Sequence, residues 1–141
     1  MKFINITERA INTVQLKELD TIVDKVIVSM LPNDLYNTWC NMSSVRDDNE
    51  VRRANKRLLD YVLATNNDYH DEIAVLLDGD LSACIDLATS LVKNNIKILI
   101  PVTKTRTIRS EWKPEYEKLY GTRESADVII KTHVMYRKLL F

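Results

Sequence analysis

Asp78, Gly79, Asp80 and Ser82 stand in one short stretch, directly after the apolar run Ile73–Leu77 and before a helix-like segment. Thr103, Lys104, Thr105, Arg106 and Arg109 follow the next apolar run, 96–102. In open α/β sheets ligands bind outside the carboxyl ends of the strands, so two neighbouring strands here would bring both groups to one rim. A helix starting near Leu81 offers free backbone N–H groups and a partial positive charge, which suit a phosphate. Lys104, Arg106 and Arg109 add positive charge with no acid between them, and the threonines add hydroxyl donors. Together these residues make a candidate site for an anionic or nucleotide-like ligand. Asp78 and Asp80 argue against a phosphate unless a cation or a basic side chain bridges them, or a carboxylate holds a ribose hydroxyl instead. The plainer reading makes Asp80 a helix cap and Asp78 a turn former.

Catalytic chemistry finds little support. His70 and His133 stand outside any H-E-x-x-H or C-x-x-C spacing, and Ser82 is not in G-x-S-x-G. The loop at Asp78–Ser82 carries neither G-x-G-x-x-G nor the P-loop pattern, which disfavours dinucleotide enzymes and NTPases of those types. No catalytic residue, resident metal or cofactor is assigned. Asp78 with Asp80 could hold a divalent cation, which leaves a small phosphodiesterase or transferase as the remaining enzymatic alternative. A second surface is the run Arg52, Arg53, Lys56 and Arg57, four bases within six residues of a predicted helix. It reads either as a solvated face paired with nearby acids or as a docking surface for an anionic partner, with Trp39 and Trp112 as exposed aromatic contacts.

The elements that must position these residues follow from the apolar pattern. Met1–Ile6 is β-prone. Leu16, Leu19, Ile22, Val23, Val26, Ile27 and Met30 recur at three-four spacing and predict one amphipathic helix over 15–31, ended by Pro32. Asn33 caps a short turn, a loop spans 41–48, and a second helix runs from Asp48 or Asn49 to about Thr65 on Val51, Ala54, Leu58 and Val62. Ile73–Leu77 lacks alternation, the mark of a strand covered on both faces. Asp80 or Ser82 begins the next helix, Asn94–Asn95 end it, and 96–102 is the following strand, giving a right-handed βαβ unit. Pro101 places that strand at an edge or frees it from pairing near its C-terminal end. The stretch 103–109 is extended, and Val128–Phe141 is a long final strand able to pair antiparallel with it.

The composition bounds the class. At 141 residues, with 45% apolar and 28% charged residues, the chain is predicted to form a single α/β domain over 1–141. Twenty basic and twenty acidic residues cancel, so anion recognition must be local. No apolar run is long enough to span a membrane and the opening residues lack a signal-peptide pattern, so a cytoplasmic protein is expected. Cys40 and Cys84 read as reduced packing residues. The expected fold is a compact three-layer Rossmann-like domain: a short, mostly parallel sheet with an antiparallel strand or hairpin on the C-terminal side.

The opening FINITERAI resembles the FINLTPHAI start of small phage proteins, with Glu8-Arg9 where that pattern has Pro-His. The order VLLDGD, LATSLVKNNIKILIPVTK and IIKTHVMYRKL resembles small Rossmann-like proteins of phages and CRISPR neighbourhoods. That likeness implies a nucleotide-sized pocket at Asp78–Ser82 and Thr103–Arg106. The function expected on these grounds is non-catalytic binding of a nucleotide or phosphorylated signal, in the host cytoplasm if phage-encoded. The alternative is an interaction module that binds and inhibits a host protein. A homodimer is expected through an edge strand near Val128–Phe141.

Overall fold

The computed structural model describes residues 1–23, 25–68, 72–108 and 128–139, in backbone only at 68, 105–108 and 128–131. Its elements are β1 (Lys2–Ile6), α1 (Thr13–Ile22), β2 (Ile27–Met30), α2 (Asn33–Cys40), a 3₁₀ turn (Met42–Ser44) and α3 (Asp48–Asp68). Then come β3 (Ile73–Leu77), α4 (Leu81–Lys93), β4 (Lys97–Ile108) and β5 (Val128–Lys138). The chain divides into two compact units, Met1–Pro101 with Met135–Phe141, and Val102–Val134.

The strands form one sheet in the order β2-β1-β3-β4-β5. β1 pairs in parallel with β2 (Phe3 opposite Val28) and with β3 (Ile4 opposite Val75), and β3 pairs in parallel with β4 (Val75 opposite Ile98). β4 and β5 make the antiparallel pair, with the Leu139 N–H donating to the Ile98 carbonyl at 2.9 Å. The fold is therefore α/β, mostly parallel, with helices on both faces.

The central strands read as they pack. All five residues of β3 are buried, which explains why the sequence there has no polar alternation. On one face Ile4, Ile6, Val75, Leu77 and Ile98 meet Leu35 and Trp39 of α2, Leu58 and Val62 of α3, and Leu87 and Leu91 of α4. On the other, Phe3, Ala74, Leu76 and Leu99 meet Leu19 of α1 and Tyr136 of β5. Burying a large apolar side chain stabilises by about 1.5–3 kcal/mol, and Phe3, Ile4, Ile6, Leu58, Leu76 and Leu87 are wholly enclosed.

The single helix predicted over 15–31 is corrected. Helix α1 stops at Ile22, and Ile27–Met30 is strand β2, bonded alongside β1. Ile27, Val28 and Ser29 suit a pleated ladder, and β1 offers an open side for it to pair with. That tertiary pairing overrides the three-four spacing, which over so short a run fits either element. Strand β4 continues through 103–108 without a break, and its pairing with β3 ends at Leu99, before Pro101. Among the described residues, no helix is long and apolar enough to cross a membrane.

Candidate functional site

The order of the strands locates the site. β2 lies on one side of β1 and β4 on the far side of β3, so the winding reverses between β1 and β3. In doubly wound sheets the loops that leave the carboxyl ends at such a reversal diverge and leave a crevice. Here those loops are Thr7–Asn12 after β1 and Asp78–Asp80 after β3. The Asp78 N–H donates to the Ile6 carbonyl at 3.1 Å, carrying the ladder to the last residue before the loops part.

The β3 turn is set by a buried aromatic. Trp39 is wholly enclosed, and its indole N–H donates to the Asp78 carbonyl at 2.9 Å. Gly79 sits directly against the ring with φ of 155°, and a Cβ there would lie 2.9 Å from Trp39 Nε1. Both the space and the dihedral require glycine. Trp39 is thus a support for the turn, which corrects its reading as an exposed contact for a partner: the apolar face of α2 turns it inward. Trp112 lies outside the described residues.

Asp80 is the N-cap of α4. Its carboxylate accepts from the Ala83 N–H at 3.0 Å and from the Ser82 hydroxyl at 2.7 Å. Those bonds, Ser82 first, hold its pKa below the usual carboxylate value. An acid therefore already occupies the place where an anion would meet the N-terminus of α4. Asp78 and Ser82 are exposed. Burial, then the charges of Asp78, Asp80 and Glu8, push the Cys84 thiol up to about 12, so it stays protonated and is no nucleophile at neutral pH. The hydrogen bond and charge of Cys40, followed by burial and Glu8, raise the Tyr36 phenol. Its hydroxyl donates to the Glu8 carbonyl at 2.8 Å, tying α2 to the loop after β1.

That loop is built on a polar network. Asn5 and Thr7 are buried at the end of β1. The Thr7 hydroxyl lies 2.6 Å from Asn5 Oδ1 and 2.8 Å from the Arg9 carbonyl, and Asn5 Nδ2 donates to the same carbonyl at 2.9 Å. Glu8, Arg9 and Ala10 are left exposed. Helix α1 then begins in a capping box, with Gln15 N–H donating to Asn12 Oδ1 at 2.9 Å and Asn12 N–H to Gln15 Oε1 at 3.0 Å. Its first turn contains no acid. Asn5 and Thr7 were not among the residues singled out by chemistry. The signal for them is two polar residues inside FINIT, an otherwise apolar central strand.

Of the other rim candidates, Thr103 and Lys104 are exposed, Thr105 and Arg106 lie in β4, and Arg109 is outside the described residues. They fall in the unit Val102–Val134, whereas Asp78–Ser82 belong to the other. On α3, Arg52, Arg53, Lys56 and Arg57 are all exposed, and Arg57 pairs with Asp34 of α2 at 3.1 Å. No group of three or more His, Cys, Asp or Glu side chains is placed to hold a metal ion among the described residues.

A sheet that reverses between two parallel central strands, with polar loops at their carboxyl ends, defines a doubly wound α/β protein. The chain belongs to the family described as the uncharacterized protein MJ1673 family, whose profile matches residues 1–121. No curated protein and no solved structure matches it.

Proposed function

We propose that this chain binds a nucleotide or a similar phosphorylated signal, without transforming it, at the carboxyl rim of its sheet. The observation that carries this reading is the reversal of winding between β1 and β3, the position where open α/β sheets bind ligands. The chemistry of the rim divides accordingly. The exposed carboxylate of Asp78, at the end of β3, suits ribose hydroxyls. Arg9 and the acid-free, neutrally capped start of α1 suit a phosphate better than does α4, which Asp80 already caps.

Thermal-shift measurements with nucleotides and cyclic dinucleotides, with and without Mg²⁺, test it. The resemblance to phage and CRISPR-neighbourhood proteins is the reason to include the cyclic forms. A ligand at about 100 times its Kd raises stability by about 2.7 kcal/mol, and the bound nucleotide should be recovered unchanged. Arg9→Ala and Asp78→Asn should each diminish the shift. A flat melting temperature across the panel at millimolar concentration overturns the proposal.

The second reading is a host-protein interaction module, favoured by the exposed row Arg52, Arg53 and Lys56 on α3. It requires one stoichiometric macromolecule in pull-downs, lost when these three residues are changed to Glu, with no small-molecule effect on melting.

A further inference from the structure

The two segments that flank the crevice carry an excess of negative charge. Residues 7–12 and 78–82 together hold three carboxylates, Glu8, Asp78 and Asp80, and one base, Arg9. Glu8, Arg9 and Asp78 are exposed, and Asp80 stands half-buried at the head of α4. The carboxylates converge on one place. After burial, their charges are what raise the Cys84 thiol in the first turn of α4. Asp80 holds its charge firmly, because its bonds from the Ser82 hydroxyl and the Ala83 N–H favour the ionised form.

Two further bases do not redress this balance. Arg57 is paired with Asp34 of α2 at 3.1 Å. Lys17, in the second turn of α1, stands two residues before the wholly enclosed Leu19, a step that turns it to the opposite side of the helix, away from the sheet. What remains is Arg9 and the N-terminus of α1, whose dipole is equivalent to about half a positive charge. That is enough for one phosphate group. A second or third phosphate joined to the first adds negative charge beside three carboxylates and gains no base in either segment.

We propose that the rim selects ligands whose phosphates stand singly, as in a nucleoside monophosphate or a phosphodiester, and turns away the clustered charge of triphosphates. Glu8 and Asp78 are the specificity-determining carboxylates. This inference rests on the nucleotide-binding reading given above and narrows its ligand class. The selection acts through charge, so salt must weaken it. Mg²⁺ must weaken it too, since the cation neutralises part of the charge of a triphosphate.

Titration calorimetry on the full chain tests the proposal, at low salt in EDTA. The probes are the 5′-mono- and triphosphates of adenosine, guanosine, cytidine and uridine, together with cyclic dinucleotides. The tightest ligand should be a monophosphate or a phosphodiester, with every triphosphate at least about tenfold weaker. High salt and added Mg²⁺ should each narrow that gap. Glu8→Gln should narrow it by about threefold at low salt. The ligand-free melting temperature of that variant should stay at the wild-type value, because the side chain is exposed and the bond from Tyr36 runs to the backbone carbonyl. A triphosphate that binds in EDTA as tightly as the best of the other probes overturns this inference and leaves the nucleotide reading standing. So does a gap indifferent to both salt and Glu8→Gln. No heat of binding from any probe removes the reading and the inference together.

Discussion

After β1 the chain is held by hydrogen bonds, from Asn5 and Thr7 to each other and to the Arg9 carbonyl. After β3 it is held by packing, with the Trp39 ring laid against Gly79. The two turns flank the same crevice, yet their charges differ as much as their supports. The first leads to a helix with a neutral cap and no acid in its first turn, the second to a helix capped by an aspartate. A turn fixed by an enclosed ring offers one geometry. A turn fixed by a few buried polar side chains depends on each of those bonds, and under the function proposed above it is the half of the rim that would meet an anion.

Substitutions should separate the two supports by size of effect. Trp39→Ala removes a fully enclosed ring and should cost about 3–5 kcal/mol in chemical denaturation, with α2 and the β3 turn loosened together. Gly79→Ala meets both the ring and an unfavourable dihedral, for a loss of about 1–3 kcal/mol; a neutral result would mean that the turn adapts as easily as its counterpart. Thr7→Val keeps the shape but strips the donor from Asn5 Oδ1 and the Arg9 carbonyl, costing about 1–3 kcal/mol by the same measurement. If the polar turn is the phosphate-binding half, this variant should also blunt any nucleotide-induced rise in melting temperature.

The mildest effect concerns acid. The folded-state pKa of Asp80 lies below its unfolded value, so its contribution is complete at neutral pH. It fades as the pH falls through the ordinary carboxylate range toward the lowered value. Asn is an equally good cap without the charge. Asp80→Asn should therefore melt close to wild type near pH 7 and show a shallower decline on acidification, read from melting temperatures across that range.

The packed half of this comparison was largely legible in the sequence. An uninterrupted apolar run for β3, an Asx residue at the start of α4 and an asparagine pair at its end each have a local cause. Asn95 does adopt a positive φ, of 57°. Strand β2 was not legible, because Ile27 and Met30 continue the helical spacing of α1 and only the open side of β1 makes them a ladder. Nor was the inward turn of Trp39, since a short helix with apolar residues on one side does not declare which neighbour will cover it. Asn5 and Thr7 were hidden for a related reason. A polar residue in a central strand acquires meaning only when the loop that bonds to it is in place.

The bond from the Tyr136 amide to Glu18 joins residues 118 apart in sequence, and it has a kinetic corollary. Until β5 is available, the early α1–β2 segment lacks both this anchor and the ring of Tyr136 that packs with Leu19 and Phe3. Closing so long a loop is slow relative to local contacts. The α1 side of the sheet should therefore mature last during refolding, and the amide proton of Tyr136 should gain its exchange protection later than those of β3.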